Sequence, residues 1–79
     1  MKIILFGIAK DIVGAPSILL PNGHGLKTVV DLKSWIIAKY PRMSHLNSMA
    51  IAVDHEYAEN DLPLSEDQEI AIIPPISGG

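Results

Sequence analysis

The 79-residue chain contains no cysteine. It therefore cannot form disulfide bonds, offer a thiolate nucleophile or build a zinc–thiolate site from its own residues. At this length we expect a single domain, residues 1–79, which buries only about 60–65% of the surface of its unfolded chain. Its stability must therefore come from one apolar core.

Positive charge is scarce and scattered. Six Lys and Arg stand against nine Asp and Glu, for a net charge of -3, and no two basic residues are adjacent. Nucleic-acid binding relies on clustered basic side chains, so this pattern excludes nucleic acid as a partner. An acidic surface instead predicts protein partners that present positive potential.

Long apolar runs are also missing. The longest early stretch, residues 3–9, is far shorter than the about 20 residues that span a bilayer. Lys10 and Asp11 follow it at once, which does not fit a signal peptide. We therefore expect no membrane partner and a cytoplasmic location.

Short apolar runs bounded by glycine, proline or charged residues predict β-strands. These runs cover residues 2–7, 17–20, 49–53, 57–58 and 69–73. The first two are expected to form a hairpin with a helical turn at 10–14, and residues 54–56 are expected to form a turn.

A helix is predicted over residues 29–39. Thr28 is a good N-cap, Asp31 lies three residues later as in a capping box, and Pro41 ends the pattern. The apolar positions recur with helical spacing: Val29, Leu32, Trp35, Ile36 and Tyr40. Predicted strands precede and follow one main helix in the sequence, which predicts an α+β fold with a mixed sheet packed on that helix.

Strand alternation divides the apolar residues between the two faces of this sheet. The side chains expected to face the helix are Ile3, Leu5, Ile70 and Ile72. Those expected on the other face are Ile4, Phe6, Ala71 and Ile73, with Tyr57 nearby. A single helix cannot cover both faces, so the second set predicts an exposed docking patch. The alternative is that loop 62–68 covers Phe6 and Ile73.

The last six residues are Pro74, Pro75, Ile76, Ser77, Gly78 and Gly79. Proline has no backbone N–H, so the pair is expected to end the last strand and start a projecting arm. Gly78 and Gly79 lack Cβ atoms and would fit a narrow slot. The carboxylate of Gly79 would then be the reactive group, unless the tail is an inert, frayed terminus.

Other possible sites are weaker. The loop Asn22-Gly23-His24-Gly25 precedes a helix but lacks the remaining features of a phosphate-binding motif, which favours a flexible connector. His24, His45 and His55 are interpreted as isolated surface residues, so no metal site is predicted. The acidic pairs at 54–56 and 66–67 lie in predicted solvated turns, where pKa shifts should be small, and Trp35 is expected to be partly buried in the core.

Lys-Ile-Ile-Leu-Phe at the start and Pro-Pro-Ile-Ser-Gly-Gly at the end together resemble the ubiquitin-like β-grasp sulfur carriers, in particular the small subunit of molybdopterin synthase. That family's tail reads Pro-Pro-Val-Ser/Thr-Gly-Gly, so Ile76 is a conservative departure. The family also has glycine where this chain has Asp67, a residue that tolerates left-handed geometry, so we expect the turn to survive.

The resemblance implies that an adenylating enzyme related to ubiquitin-activating enzymes uses ATP on the carboxylate of Gly79. A sulfur-donating enzyme then supplies the sulfur of a thiocarboxylate. The large synthase subunit, in a heterotetramer of two small and two large subunits, uses this sulfur for the molybdopterin dithiolene. The carrier itself would bind no cofactor and would be non-catalytic. The resemblance also implies docking contacts at Phe6, Tyr57, Ile73 and Lys10. The thiamine-biosynthesis carrier and a ubiquitin-like protein modifier remain alternatives.

Overall fold

The structure, a computed structural model, describes residues 1–45 and 49–73. Its elements in chain order are β1 (Lys2–Leu5), α1 (Gly7–Val13), β2 (Ser17–Leu19), α2 (Val29–Lys39), a 3-10 helix (Pro41–His45), β3 (Ala50–Val53), β4 (Glu56–Tyr57) and β5 (Ile70–Ile73). The α+β class predicted from the sequence is confirmed.

The strands form one mixed sheet in the order β2-β1-β5-β3-β4. The central pair, β1 and β5, is parallel, and the remaining pairs are antiparallel. The predicted pairing of the first two strands is confirmed, and the helix that joins them is longer than the predicted helical turn at 10–14. The last strand in the chain therefore lies between β1 and β3.

The core lies between one face of the sheet and α2. Ile3, Leu5, Ile70 and Ile72 are all buried, as strand alternation predicts. From the helix, three side chains at helical spacing are completely buried against them: Val29, Leu32 and Ile36. Burying each such aliphatic side chain contributes about 1.5–3 kcal/mol.

Helix α2 has the bounds predicted from the sequence, and its capping box is formed. The Thr28 hydroxyl accepts the Asp31 N–H at 3.5 Å, and the Asp31 carboxylate accepts the Thr28 N–H at 3.1 Å. Asp31 also accepts the N–H of Lys27 at 3.2 Å. These local bonds satisfy donors that a helix start leaves unpaired.

Helix α1 differs from the sequence prediction. It covers Gly7–Val13, whereas the prediction was a strand through residue 7 and a helical turn at 10–14. The chain leaves β1 at Phe6, and Gly7 adopts a φ of +55° that glycine tolerates. Burial of Ala9 holds the helix on the core, and Gly14, with a φ of +80°, ends it.

The 3-10 helix after α2 was not predicted. It brings Met43 into the core, where this side chain is completely buried. Three strands are slightly shorter than predicted, since β2 ends at Leu19, β3 begins at Ala50 and β5 begins at Ile70.

The turn between β3 and β4 is tighter than predicted. It has two residues, Asp54 and His55, with φ angles of +51° and +72°, so β4 begins at Glu56 and the predicted strand at 57–58 was displaced by one residue. Left-handed geometry at both positions is typical of two-residue hairpins. Asp54 also bonds twice to Glu69, the residue before β5: its N–H donates to the Glu69 carbonyl at 2.8 Å, and its carboxylate accepts the Glu69 N–H at 2.9 Å.

The acidic turn before β5 forms with Asp67 at the position where the sequence resemblance implies a glycine. Side chains hold it: Gln68 Oε1 accepts the Ser65 N–H at 2.7 Å, and the Ser65 hydroxyl donates to Asp67 at 3.0 Å. Among the described non-glycine residues, only Asp54 and His55 have positive φ. The turn thus survives as expected, but not through a left-handed Asp67.

Candidate docking face and carboxyl-terminal tail

The face of the sheet opposite α2 carries an open groove of about 260 Å³. We call it the open-face groove; it is lined by Ile4, Phe6, Ala52, His55, Glu69, Ala71 and Ile73. The lining includes all four residues that alternation predicted to face away from the helix. The division of faces is therefore confirmed.

Small residues in the middle of the sheet form the groove. Ile4 pairs with Ala71 across β1 and β5, Ala71 pairs with Ala52 across β5 and β3, and Ala52 pairs with Tyr57 on β4. Directly paired residues point to the same face. Two alanines thus lie between the larger Ile4 and Tyr57, and the Tyr57 side chain is 76% exposed at the sheet edge.

Loop 62–68 does not cover this face. Leu64 of this loop packs against the core, and the Leu64 N–H donates to the Lys27 carbonyl at 2.8 Å. Pro63 forms a β-bridge with Thr28. These contacts hold the loop beside the start of α2. Phe6 remains 51% exposed, so the alternative in which the loop covers the patch was wrong.

One end of the groove is charged. His55 Nε2 lies 2.6 Å from Glu69 Oε2, and the Glu69 side chain is 46% exposed. Lys2 belongs to the same face by alternation with Ile4. The groove therefore combines an apolar floor with a carboxylate at the end where β5 begins.

The structure brings some of the predicted docking residues together. Phe6 and Ile73 both line the groove, and Tyr57 lies in the row beside it. Lys10 is exposed on α1 and is not among the groove-lining residues. The predicted tail residues, Pro74, Pro75, Ile76, Ser77, Gly78 and Gly79, lie outside the described residues.

The first turn of α2 is not a phosphate site. Its backbone donors are already used: Val29 N–H bonds to the Leu62 carbonyl at 3.1 Å and Val30 N–H to the Asn60 carbonyl at 2.9 Å. The next two N–H groups, of Asp31 and Leu32, bond to Thr28. An anion would find no free backbone donor in this turn.

His24 anchors the loop at 22–25, which was predicted to be a flexible connector. Its Nδ1 accepts the Leu26 N–H at 3.0 Å, so the ring proton is on Nε2, which lies 2.9 Å from Glu66 Oε2. The His24 side chain is only 10% exposed, which corrects its interpretation as a surface residue. The hydrogen bond from His24 lowers the pKa of Glu66 from its usual value.

The predicted burial of Trp35 is confirmed. Trp35 is partly buried against the core, as predicted, with the Lys39 ammonium 5.9 Å from its ring centre. Across residues 1–45 and 49–73, no three His, Cys, Asp or Glu side chains could hold a metal ion together. The side chain of His45 lies outside the description.

No helix in the described residues is long and apolar enough to cross a membrane.

Sequence reasoning missed three groove residues, namely Ala52, His55 and Glu69. Their place depends on how β3 pairs with β5, which joins residues far apart in the chain. Alternation within β3 alone could have marked Ala52 as facing opposite to Ile51. No local signal places His55 against Glu69.

A family model described as the ThiS family matches residues 3–79. The chain belongs to the ThiS family. Among ThiS-family relatives, the "Molybdopterin synthase sulfur carrier subunit" of Arabidopsis thaliana is 32% identical over 80 residues, which cover 100% of this chain and 82% of the relative. The protein of the same name from Dictyostelium discoideum is 36% identical over 81 residues, covering 99% of this chain and 94% of the relative.

A solved structure supports the fold. The solution structure of small archaeal modifier protein 1 from Methanosarcina acetivorans matches with a TM-score of 0.78 at 23% identity, covering 99% of this chain and 94% of that one. This ThiS-family chain therefore has the ubiquitin-like β-grasp fold that the sequence resemblance implied.

Proposed function

We propose that this protein is the sulfur carrier subunit of molybdopterin synthase and that Gly79 carries the sulfur. The observation that carries the proposal is the full-length similarity to relatives of that name, 32% and 36% identical. The sequence of residues 74–79 fits the same role, because a proline pair followed by two terminal glycines suits a slender arm.

The reactive group is the terminal carboxylate of Gly79. In an adenylating partner enzyme, a carboxylate oxygen of Gly79 attacks the α-phosphorus of ATP, pyrophosphate leaves, and an acyl adenylate forms. A hydrosulfide equivalent from a donating enzyme then attacks the acyl carbon, the bond to the AMP oxygen breaks, AMP leaves and a thiocarboxylate remains. Its sulfur is a strong nucleophile, which the large synthase subunit uses to build the dithiolene of molybdopterin. The carrier supplies no other catalytic group, holds no cofactor and works in the cytoplasm.

Docking uses the open-face groove. Phe6 is half-exposed, Ile73 lines the groove as a partly buried side chain, and Tyr57 extends the apolar surface to the sheet edge. Ile73 is followed directly by Pro74 in the sequence, so the tail starts next to the surface of a partner bound at the groove. Residues 75–79 can extend about 16–18 Å, enough to reach an active site while the body stays outside. Two carriers and two large subunits make up the proposed assembly.

The test is to incubate the carrier with its adenylating enzyme, ATP and a sulfur donor, and then measure its intact mass. The expected product is heavier by the exchange of one oxygen for one sulfur, and with the large subunit it sulfurates the pterin precursor. A variant lacking Gly79 should keep its melting temperature and lose both activities. Pterin sulfuration by that variant would refute the proposal.

The same experiment separates the alternatives. A protein modifier would appear as adducts of higher mass on the lysines of other proteins. A thiamine-pathway carrier would form the thiocarboxylate but would not sulfurate the pterin precursor with the large subunit.

A further inference from the structure

The open-face groove has one ionised end. Glu69 and His55 line this end, whereas the other lining residues are all apolar: Ile4, Phe6, Ala52, Ala71 and Ile73. The Glu69 carboxylate is 46% exposed and its side-chain partner in the structure is His55, at 2.6 Å. An apolar surface that ends at a reachable carboxylate discriminates between partners by charge as well as by shape.

Basic and acidic residues lie in different parts of the chain. All six Lys and Arg lie within residues 2–42, and seven of the nine Asp and Glu lie within residues 54–69. The groove end is formed by this acidic part of the chain. Lys2 lies on the same face, on β1, and the ion pairs found among the described residues do not include its ammonium group.

We propose that Glu69 accepts a lysine or arginine of the docked partner and so fixes the orientation in which the partner lies along the groove. This inference rests on the proposed function and names the chemistry of its docking partner: apolar side chains that fill the groove, followed by a cation at the β5 start. An N–H group of that cation forms a charge-assisted hydrogen bond to the carboxylate.

His55 is the resident group that the partner's cation displaces. Its side chain is 83% exposed, and its Nε2 lies 2.6 Å from Glu69 Oε2. It sits in a two-residue turn whose backbone is anchored separately, through Asp54 and the Glu69 main chain. The ring can therefore swing away from Glu69 without opening the sheet.

The test measures binding of the large synthase subunit to four forms of the carrier: wild type, Glu69→Gln, Glu69→Lys and Glu56→Gln. Glu56 is a matched control because it is an exposed carboxylate on β4 that pairs with the buried Val53, on the other face of the sheet. Glutamine keeps the size of the side chain and the main-chain bonds of residue 69. Melting temperatures verify that all four forms are folded.

Glu69→Gln is expected to weaken binding about three- to tenfold at low salt, chiefly through slower association, and Glu69→Lys to weaken it further. The difference between wild type and Glu69→Gln should shrink at high salt, because screening weakens a partly exposed ion pair. Glu56→Gln should bind like wild type.

Two outcomes overturn the inference in distinguishable ways. If the wild type binds and Glu69→Gln binds equally well at low salt, the orientation role of Glu69 is wrong while the proposed function stands. If the wild type fails to bind the large subunit at all, the proposed function fails and this inference fails with it.

Discussion

Ala52 and Ala71 are direct partners across the antiparallel β3–β5 pair, and both line the open-face groove. Their methyl groups leave room that larger side chains would occupy. The depth of the groove therefore depends on two of the smallest side chains in the sheet. The most direct way to test the surface is to fill it.

The variant Ala71→Leu should fill the open-face groove. The added atoms extend into open space in the groove, so the fold should tolerate them while the partner's apolar side chains lose their place. We expect binding to the large subunit to weaken on the order of tenfold, as calorimetry would show. Ala38→Leu, the same change at an exposed position of α2, is the control. Equal affinity of the two variants would place the docking surface elsewhere.

Ile73→Asp tests the tail-proximal end of the groove. An unpaired carboxylate in an apolar interface loses hydration without gaining a partner, so affinity for the large subunit should fall at least tenfold. Val30→Asp is a suitable control, because Val30 is an exposed aliphatic side chain away from the groove and an acid in the first turn of α2 is favourable. Normal docking by Ile73→Asp would show that the interface lies off this face.

Thr28→Ala removes half of the capping box of α2. The Asp31 N–H loses its acceptor and the helix start loses its anchor, at a cost of about 1 kcal/mol in the free energy of unfolding. Urea denaturation followed by circular dichroism measures this change. Ser34→Ala, in the exposed middle of the same helix, should not destabilise the protein. A wild-type midpoint for Thr28→Ala would mean that loop 59–64 alone holds the helix start.

Asp31 makes stability depend on pH at the acidic end. Hydrogen bonds from the Lys27 and then the Thr28 backbone hold the pKa of Asp31 below its usual 3.8. The unfolded chain therefore binds this proton more tightly than the folded one. The stabilisation is present above the usual pKa and is lost as the pH falls through the lower, folded value.

Denaturation curves should be recorded between about pH 2 and pH 6, the range in which carboxylates titrate. As the pH falls, the free energy of unfolding should decrease in the wild type and decrease less in Asp31→Asn. Asparagine can still accept the backbone N–H bonds but has no proton to take up. An NMR titration of Asp31 that gave a pKa above its usual value would contradict the prediction.

The elements differ in how far the sequence could predict them. The bounds of α2 were predicted correctly because its cap at Thr28, its apolar spacing and Pro41 all act within a few residues of the helix. The turn at Asp54 and His55 was misplaced because its geometry depends on bonds to Glu69, which is distant in the chain. Helix α1 was underestimated because Gly7 resembled the end of a strand, whereas Ala9 is held by burial that only the folded core provides.

The candidate site shows the same division. Alternation within β1 and β5 sufficed to place Ile4 and Ile73 on the open face. The ionised end of the groove required the register between β3 and β5, which no local pattern encodes. Non-local pairing of this kind is decided by the whole sheet.

The central place of β5 has a consequence for biosynthesis. Until residue 73 has been synthesised, no strand pairing can join the β1–β2 pair to the β3–β4 pair, because β5 lies between them. Folding must therefore wait for the end of translation of this region, and an incomplete nascent chain cannot present a finished groove. A partner that needs the finished groove therefore cannot dock before β5 has been synthesised.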